Sequence, residues 1–279
     1  MPVLTVTDLP RSLDLYRGVL GLRPAPGGDG QGGATARVTL ESHGRRIVLE
    51  PVVDPGASRW AGDDLQVGIR HVAFKVDSVD RWADRVREAG MRFTMEPRDA
   101  FGAVRICFFL DPDGAQLELV QGTVRYSHPG SEALIDAERA TPVPATPRFD
   151  HVAISVADRE RAIGFYRSGA GAEVIGELFD PTEPRGFRIT YLQAGPSVLE
   201  VFSFAVPTLP NPFTPGIASP GVGRIGMAGA DPQAVWEGLR SAGALMREGS
   251  LFDPDGTPLE VLGPAGDGGA TPPEGGPTA

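Results

Sequence analysis

The stretch "RFDHVAISVADRERAIGFYRS", residues 148–168, decides the fold. Its first half alternates. In an extended strand Val152, Ile154 and Val156 fall on one face, and His151, Ala153 and Ser155 fall on the other. Its second half has helical spacing and follows Asp158, a residue suited to capping a helix. A His therefore opens the strand beside small side chains, where a strand buried on both faces would carry another aliphatic residue. The design recurs in "RHVAFKVDSVDRWADRVREAGM" (70–91), which separates His71, Ala73 and Lys75 from Val72, Phe74 and Val76.

Working outward, four segments share the plan of a short strand, an Asp and an amphipathic helix. The other two are "PVLTVTDLPRSLDLYRGVLGL" (2–22) and "GRIGMAGADPQAVWEGLRSAGA" (223–244). Asp8, Asp77, Asp158 and Asp231 are candidate caps, and Pro232 suits a first helical position. Leu13, Tyr16 and Leu20, like Val79, Trp82 and Val86, or Val235, Leu239 and Ala242, form apolar helix faces. Gly21, Gly90 and Gly243 lie where C-terminal caps belong. Strand-like stretches follow each helix. They close on "RRIVLEPV" (45–52), "FFLDPDGAQLELV" (108–120), "PSVLEVFSF" (196–204) and "LFDPDGTPLEVLG" (251–263), two of which carry the turn Asp-Pro-Asp-Gly.

The expected fold class is therefore α+β, with four βαβββ modules at 1–53, 69–121, 149–204 and 222–263. One half-open sheet cannot bury both its faces, so modules should pair into two curved sheets. Consecutive pairing makes one domain of 1–121 and a second of 149–263, joined by an interdomain linker at 122–148. Residues 205–221 read as a Pro-rich connection, and 264–279 as a disordered tail.

Charge narrows the function. The chain carries −10 formal charges at pH 7 with Lys75 as its single lysine, and no basic run, which argues against nucleic acid or an anionic membrane as partner. No apolar stretch approaches the length of a membrane span, and the N-terminal residues do not form a signal peptide. The expectation is a cytoplasmic protein acting on a small molecule, with a homodimer left open. Cys107, in "RICFFL", reads as a buried core thiol.

Each closing strand carries a Glu pointing opposite to its aliphatic neighbours: Glu50, Glu118, Glu200 and Glu260. A lone strand His or Glu is ordinarily a satisfied or solvated side chain. Recurrence at matching module positions sets these apart. His from one strand and Glu from another, meeting across a curved sheet, suit a divalent metal. His43 and His128 lie in Gly- or Ser-flanked turns and take no part.

The segments "LTVTDLPRSLDLYRGVLGL", "RHVAFKVDSVDRWADRVREAG", "DPDGAQLELV", "DHVAISVADRERAIGFY" and "DPDGTPLEVL" together resemble the vicinal oxygen chelate superfamily, the glyoxalase/bleomycin-resistance/dioxygenase group. The resemblance implies paired βαβββ modules around a buried site. It also implies a metal held by one residue from each opening strand and one from each closing strand. Here the opening position holds His71 and His151 in modules two and three, but Met1 and Ile225 in modules one and four. Pairing neighbours leaves two incomplete sites. Pairing module two with three and one with four gives one complete set, His71, Glu118, His151 and Glu200, and one decayed set. Short connections favour neighbours; the distribution of losses favours the exchange, which is the expectation adopted for the site.

By resemblance, the complete set binds Zn, Ni, Co, Mn or Fe and supports an isomerase, epimerase or lyase acting on a small oxygenated substrate through an enolate, with Glu200 or Glu118 as base. Two alternatives remain at this point. One is an extradiol-type Fe(II) dioxygenase using His71, His151 and Glu118. The other is a metal-free protein that binds a drug or metabolite.

Overall fold

The computed structural model describes residues 1–26, 36–53, 55–57, 62–143, 145–213 and 215–263; the tail expected at 264–279 lies outside them. All four modules are present. The first comprises β1 (Pro2–Val6), α1 (Leu9–Leu13) continued by a π-helical segment (Asp14–Val19), β2 (Arg23–Pro24), β3 (Val38–Ser42) and β4 (Arg45–Pro51). The second comprises β5 (Gly68–Lys75), α2 (Val79–Glu88), β6 (Arg92–Ala100), β7 (Val104–Leu110) and β8 (Gln116–Gln121). Between halves come β9 (His128–Pro129) and α3 (Glu132–Ala140). The third module is β10 (Arg148–Ser155), α4 (Arg159–Ala170), β11 (Glu173–Phe179), β12 (Arg188–Ala194) and β13 (Ser197–Ser203). The fourth is β14 (Gly221–Ala228), α5 (Pro232–Ser241), β15 (Leu245–Arg247), β16 (Ser250–Phe252) and β17 (Pro258–Leu262).

Sheet membership cuts across the consecutive halves 1–121 and 149–263. One nine-stranded sheet runs β6-β7-β8-β5-β10-β13-β12-β11-β9 and unites modules two and three; an eight-stranded sheet runs β15-β16-β17-β14-β1-β4-β3-β2 and unites modules one and four. The central joint of the first sheet is the antiparallel pair β5/β10, which sets Val72 against Val152 and Phe74 against Phe149. These four side chains are buried in the main core. Full burial of each such side chain is worth about 1.5–3 kcal/mol, so matching apolar faces compensate for the long closure between these strands.

Within each half the two modules, although in different sheets, stay joined around their helices. Tyr16, just after α1, donates its hydroxyl to Asp111 Oδ2 of the second module's Asp-Pro-Asp-Gly turn at 2.8 Å. Tyr166 of α4 makes the matching bond to Asp253 Oδ2 of the fourth module at 2.9 Å. Each Asp also ties its own turn: Asp111 Oδ1 accepts from the Asp113 and Ala115 amides, and Asp253 Oδ1 from those of Asp255 and Thr257. The helices α4 and α5 touch at Gly169 and Gly238, where a Cβ on Gly238 would stand 2.8 Å from the Gly169 carbonyl oxygen.

Two local expectations are corrected. The cap of α2 is Ser78, whose side chain accepts from the Arg81 amide; Asp77 instead accepts from the Arg81 guanidinium and, at 3.2 Å, from Trp82 Nε1. Residues 122–148 are more than a linker. Ser131 caps α3, Ile135 is buried, and β9 extends the sheet by pairing His128 with Glu177 of β11. Among the described residues no helix is long and apolar enough to cross a membrane.

Candidate metal centre

Register places the donors. In the parallel pair β5/β8, Glu118 lies opposite Ala73; in β10/β13, Glu200 lies opposite Ala153. Across the antiparallel joint His71 faces Ala153 and His151 faces Ala73. Each imidazole thus projects over a methyl group, which is why Ala follows two residues after His in both strands.

The four side chains converge as the exchanged pairing requires. His71 Nε2 lies 3.1 Å from Glu118 Oε2 and 3.4 Å from Glu200 Oε2. His151 Nε2 lies 3.1 and 3.2 Å from the same two oxygens. The two Nε2 atoms are 3.2 Å apart. All four residues are buried, with donor atoms within 4.8 Å of one another. Bonds of about 2.0–2.2 Å to one ion put adjacent nitrogen and oxygen ligands about 3.0–3.5 Å apart, so the donor set fits a single divalent cation. The charges fit too, because a dication balances the two carboxylates.

Burial alone would push both imidazoles toward the neutral form, yet the two carboxylates hold His71 above its usual value and His151 well above it. Burial would likewise raise Glu118 and Glu200, but the two imidazoles hold both below the usual carboxylate range. Binding of a cation by such a set displaces the protons that the imidazoles and carboxylates share.

The surroundings contribute residues that sequence reasoning missed. His151 Nδ1 meets Asp150 Oδ2 at 3.3 Å, which fixes the tautomer that directs Nε2 into the cluster. Asp150 is itself held well below the usual range, against its burial, by Lys75, His151 and Arg45. Arg45 reaches across from β4 to Asp150 Oδ1 at 3.3 Å and to the Phe149 carbonyl at 3.1 Å. His71 has aromatic flanks instead, with Phe108 at 5.0 Å and Phe202 at 6.1 Å between ring centroids. An Asp immediately before one repeated His was a legible signal for its partner; the aromatic flanks, supplied by other strands, were not.

The cluster lines a cavity of about 1520 Å³ whose lining is mixed, with Ile106, Phe108, Leu178, Phe187 and Ile189 among its apolar residues. The segment between the halves closes part of it through Val124, Tyr126, Leu134 and Glu138.

The other sheet carries a different arrangement at the equivalent place. Glu50 lies opposite Thr5 and Glu260 opposite Gly226. Two residues before those positions, where modules two and three hold His, stand Val3 and Arg224. Met1 and Ile225 are therefore not the ladder equivalents. Ile225 sits one residue out of phase and is buried in the core on the opposite face. Arg224 joins Arg37 in binding the carboxylates: Arg37 Nε donates to Glu50 Oε1 at 2.6 Å and Nη1 to Glu260 Oε1 at 2.7 Å. Arg224 Nε reaches Glu260 Oε2 at 2.7 Å and Nη2 reaches Glu50 Oε2 at 2.6 Å. Two guanidiniums thus occupy every carboxylate oxygen that a cation would need.

Comparison with known proteins agrees with this architecture. The sequence profile of the Glyoxalase/Bleomycin resistance protein/Dioxygenase superfamily matches residues 1–119 and 148–261. A lactoylglutathione lyase of Arabidopsis thaliana is 26% identical over 182 residues, 64% of this chain and 56% of the relative, so the match spans little more than half of that protein. A probable lactoylglutathione lyase of Synechocystis is 30% identical over 122 residues, covering 43% of this chain and 91% of the relative. The crystal structure of glyoxalase I from Zea mays superposes with a TM-score of 0.65 at 22% identity, covering 92% of this chain and 89% of that one. A putative dioxygenase from Bacillus subtilis superposes with a TM-score of 0.59 at 18% identity, covering 96% of this chain and 84% of the other.

Proposed function

The chain belongs to the glyoxalase/bleomycin resistance protein/dioxygenase superfamily, and on that premise we propose that it is a divalent-metal-dependent lyase or isomerase of the lactoylglutathione lyase type. His71, Glu118, His151 and Glu200 would hold the ion. The observation that carries this is the mutual 3.1–3.4 Å approach of two imidazole nitrogens and two carboxylate oxygens in one buried cluster.

A divalent cation held there supplies Lewis-acid polarisation of a substrate carbonyl. The protein supplies the rest. Apolar side chains such as Ile106 and Phe108 line the cavity beside the cluster. His71 and His151 stay fixed on the central strands. Glu118 or Glu200 accepts a proton from the carbon next to the carbonyl and returns it to the neighbouring carbon. A small-molecule substrate and a cytoplasmic setting belong to the same proposal. A homodimer is not needed to complete the site, since one chain provides all four donors. The dioxygenase alternative is not favoured. Glu200 stands as close to both imidazoles as Glu118 does, a fourth donor that a two-His, one-carboxylate iron site does not use, and the relatives above are named lactoylglutathione lyases.

The test is turnover of lactoylglutathione by protein reconstituted with Zn, Ni or Co. Metal-dependent turnover, reduced about 10²–10⁴-fold when the carboxylate acting as base is changed to the amide, is the expected result. A protein that binds metal yet turns over no lactoylglutathione would place the substrate elsewhere in the class.

A further inference from the structure

The superfamily profile matches residues 1–119 and 148–261, and the chain between those two stretches forms a wall of the metal cavity. It is tied down on both sides. Toward module two the Arg125 amide donates to the Gly102 carbonyl, in the turn between β6 and β7, at 2.8 Å. Toward module three the Ser127 amide donates to the Glu177 carbonyl at 2.8 Å, and the Gly130 and Ser131 amides donate to that of Ile175 at 2.9 and 3.0 Å. The helix α3 then lays one face along the cavity. Leu134, Ala137, Glu138 and Thr141 line it, at the i, i+3, i+4 and i+7 spacing that a helix brings to one side. Ile135, on the neighbouring face, is buried with Val124, Ile175, Leu178, Ile189 and Tyr191 in a cluster separate from the main core.

This second cluster reaches the metal donors. Val198 and Phe202 pack against it, and on β13 they share the face of Glu200, which lies between them. Phe202 also stands 6.1 Å from the His71 ring. Tyr126 packs edge-on against Tyr191, 5.3 Å between centroids, and donates its hydroxyl to Glu138 at 3.0 Å. The phenol's polar end is thus satisfied within the segment, and its ring serves as wall. From this we infer that residues 124–141 build an apolar subsite beside the metal centre, with Leu134 as a specificity-determining residue, and that the site takes substrates whose metal-facing oxygens carry a compact aliphatic or aromatic group. The inference rests on the proposed metal-dependent function and deepens it by naming the substrate class. The modules supply the donors, and the segment between them supplies selection. A phenyl or short alkyl group entering there exchanges water for apolar side chains. An anionic group would instead lose its hydration beside the Glu138 carboxylate.

The experiment loads the full chain with Co²⁺ and titrates it with two bidentate oxygen ligands, acetohydroxamate and benzohydroxamate, followed by the visible absorption of the ion. The wild type is compared with Leu134→Ala and Leu134→Trp, circular dichroism confirms that each variant is folded, and each affinity is divided by that of the same hydroxamate for Co²⁺ in solution. The wild type should prefer benzohydroxamate by roughly tenfold or more, since a phenyl ring buries far more apolar surface than a methyl group. Leu134→Trp, which fills the subsite, should abolish that preference. Leu134→Ala, which removes part of the wall, should weaken benzohydroxamate several-fold and leave acetohydroxamate unchanged. Co²⁺ bound as expected, with no preference in the wild type or the same preference in all three proteins, would overturn the inference while leaving the metal site intact. A wild type that binds no Co²⁺ would overturn the proposed function beneath it.

Discussion

His71 and His151, eighty positions apart in the chain, bring their Nε2 atoms to 3.2 Å. The contact exists because β5 and β10 pair antiparallel in a register that sets each His opposite the other strand's Ala. One strand pairing therefore decides both the architecture and the site. A register slip of one residue in either strand would turn its imidazole toward the helices and its aliphatic side chains toward the cavity.

The Arg37, Glu50, Arg224, Glu260 quartet should act as a structural clamp between the first and last modules. Arg224→Ala removes the partner of two largely shielded carboxylates and should cost about 1–3 kcal/mol, lowering Tm by several degrees. Metal binding at the other sheet should not change. Thermal unfolding followed by circular dichroism checks the first expectation and a metal titration the second.

Asp111 and Asp253 should make stability fall as the solution turns from acid toward neutral. Burial pushes each carboxyl up to about 6 despite its hydrogen bonds. The folded state therefore holds these protons more tightly than the unfolded chain, whose carboxyls titrate near about 3.9. The favourable contribution is complete below about pH 4 and is lost as pH rises to about 6. Asp111→Asn and Asp253→Asn should flatten that part of a urea-unfolding profile. A profile unchanged by both substitutions would refute the assignment.

Gly176 makes room for Tyr126, which packs edge-on against Tyr191 with 5.3 Å between ring centroids. A Cβ there would stand 2.7 Å from the Tyr126 ring and 3.0 Å from the His128 carbonyl oxygen. Gly176→Ala should cost about 1–3 kcal/mol through overpacking and should loosen α3. Faster amide hydrogen exchange across 132–140 is the readout.

Cys107 should be inert in the folded protein. It is fully buried, and burial pushes its thiol up to about 12, so the thiolate that reacts is scarce. Iodoacetamide at pH 8 should label it only after denaturation; rapid labelling of the native protein would contradict its placement.

Much of this was legible in the sequence, for identifiable reasons. Val72, Phe74 and Val76 announce a strand through their alternation, and Asp158 and Asp231 announce helix starts because capping needs a short acceptor side chain. His71 and His151 stand out through repetition. Which modules pair was not legible from local pattern, because β5/β10 is a contact between distant segments; only the distribution of His among modules pointed to it. Arg224 was missed by counting one residue too far, to Ile225, and in a strand one residue changes the face. Counting seven back from the caps of the last three modules would have found it: Ser78 leads to His71, Asp158 to His151 and Asp231 to Arg224, whereas in the first module the same count from Asp8 gives Met1 and the ladder against Glu50 gives Val3. The helix α3 was missed although Ser131 followed by "EALIDAERA" carries a cap and strong helix formers.

The most direct measurement is metal content per chain for the wild type, His71→Ala and His151→Ala after reconstitution and removal of loosely bound ions. One shared centre predicts about one ion per chain in the wild type and loss of that ion in either single variant. Two ions per chain, or an ion retained when one imidazole is removed and lost only when both are, would contradict a centre built jointly by the second and third modules.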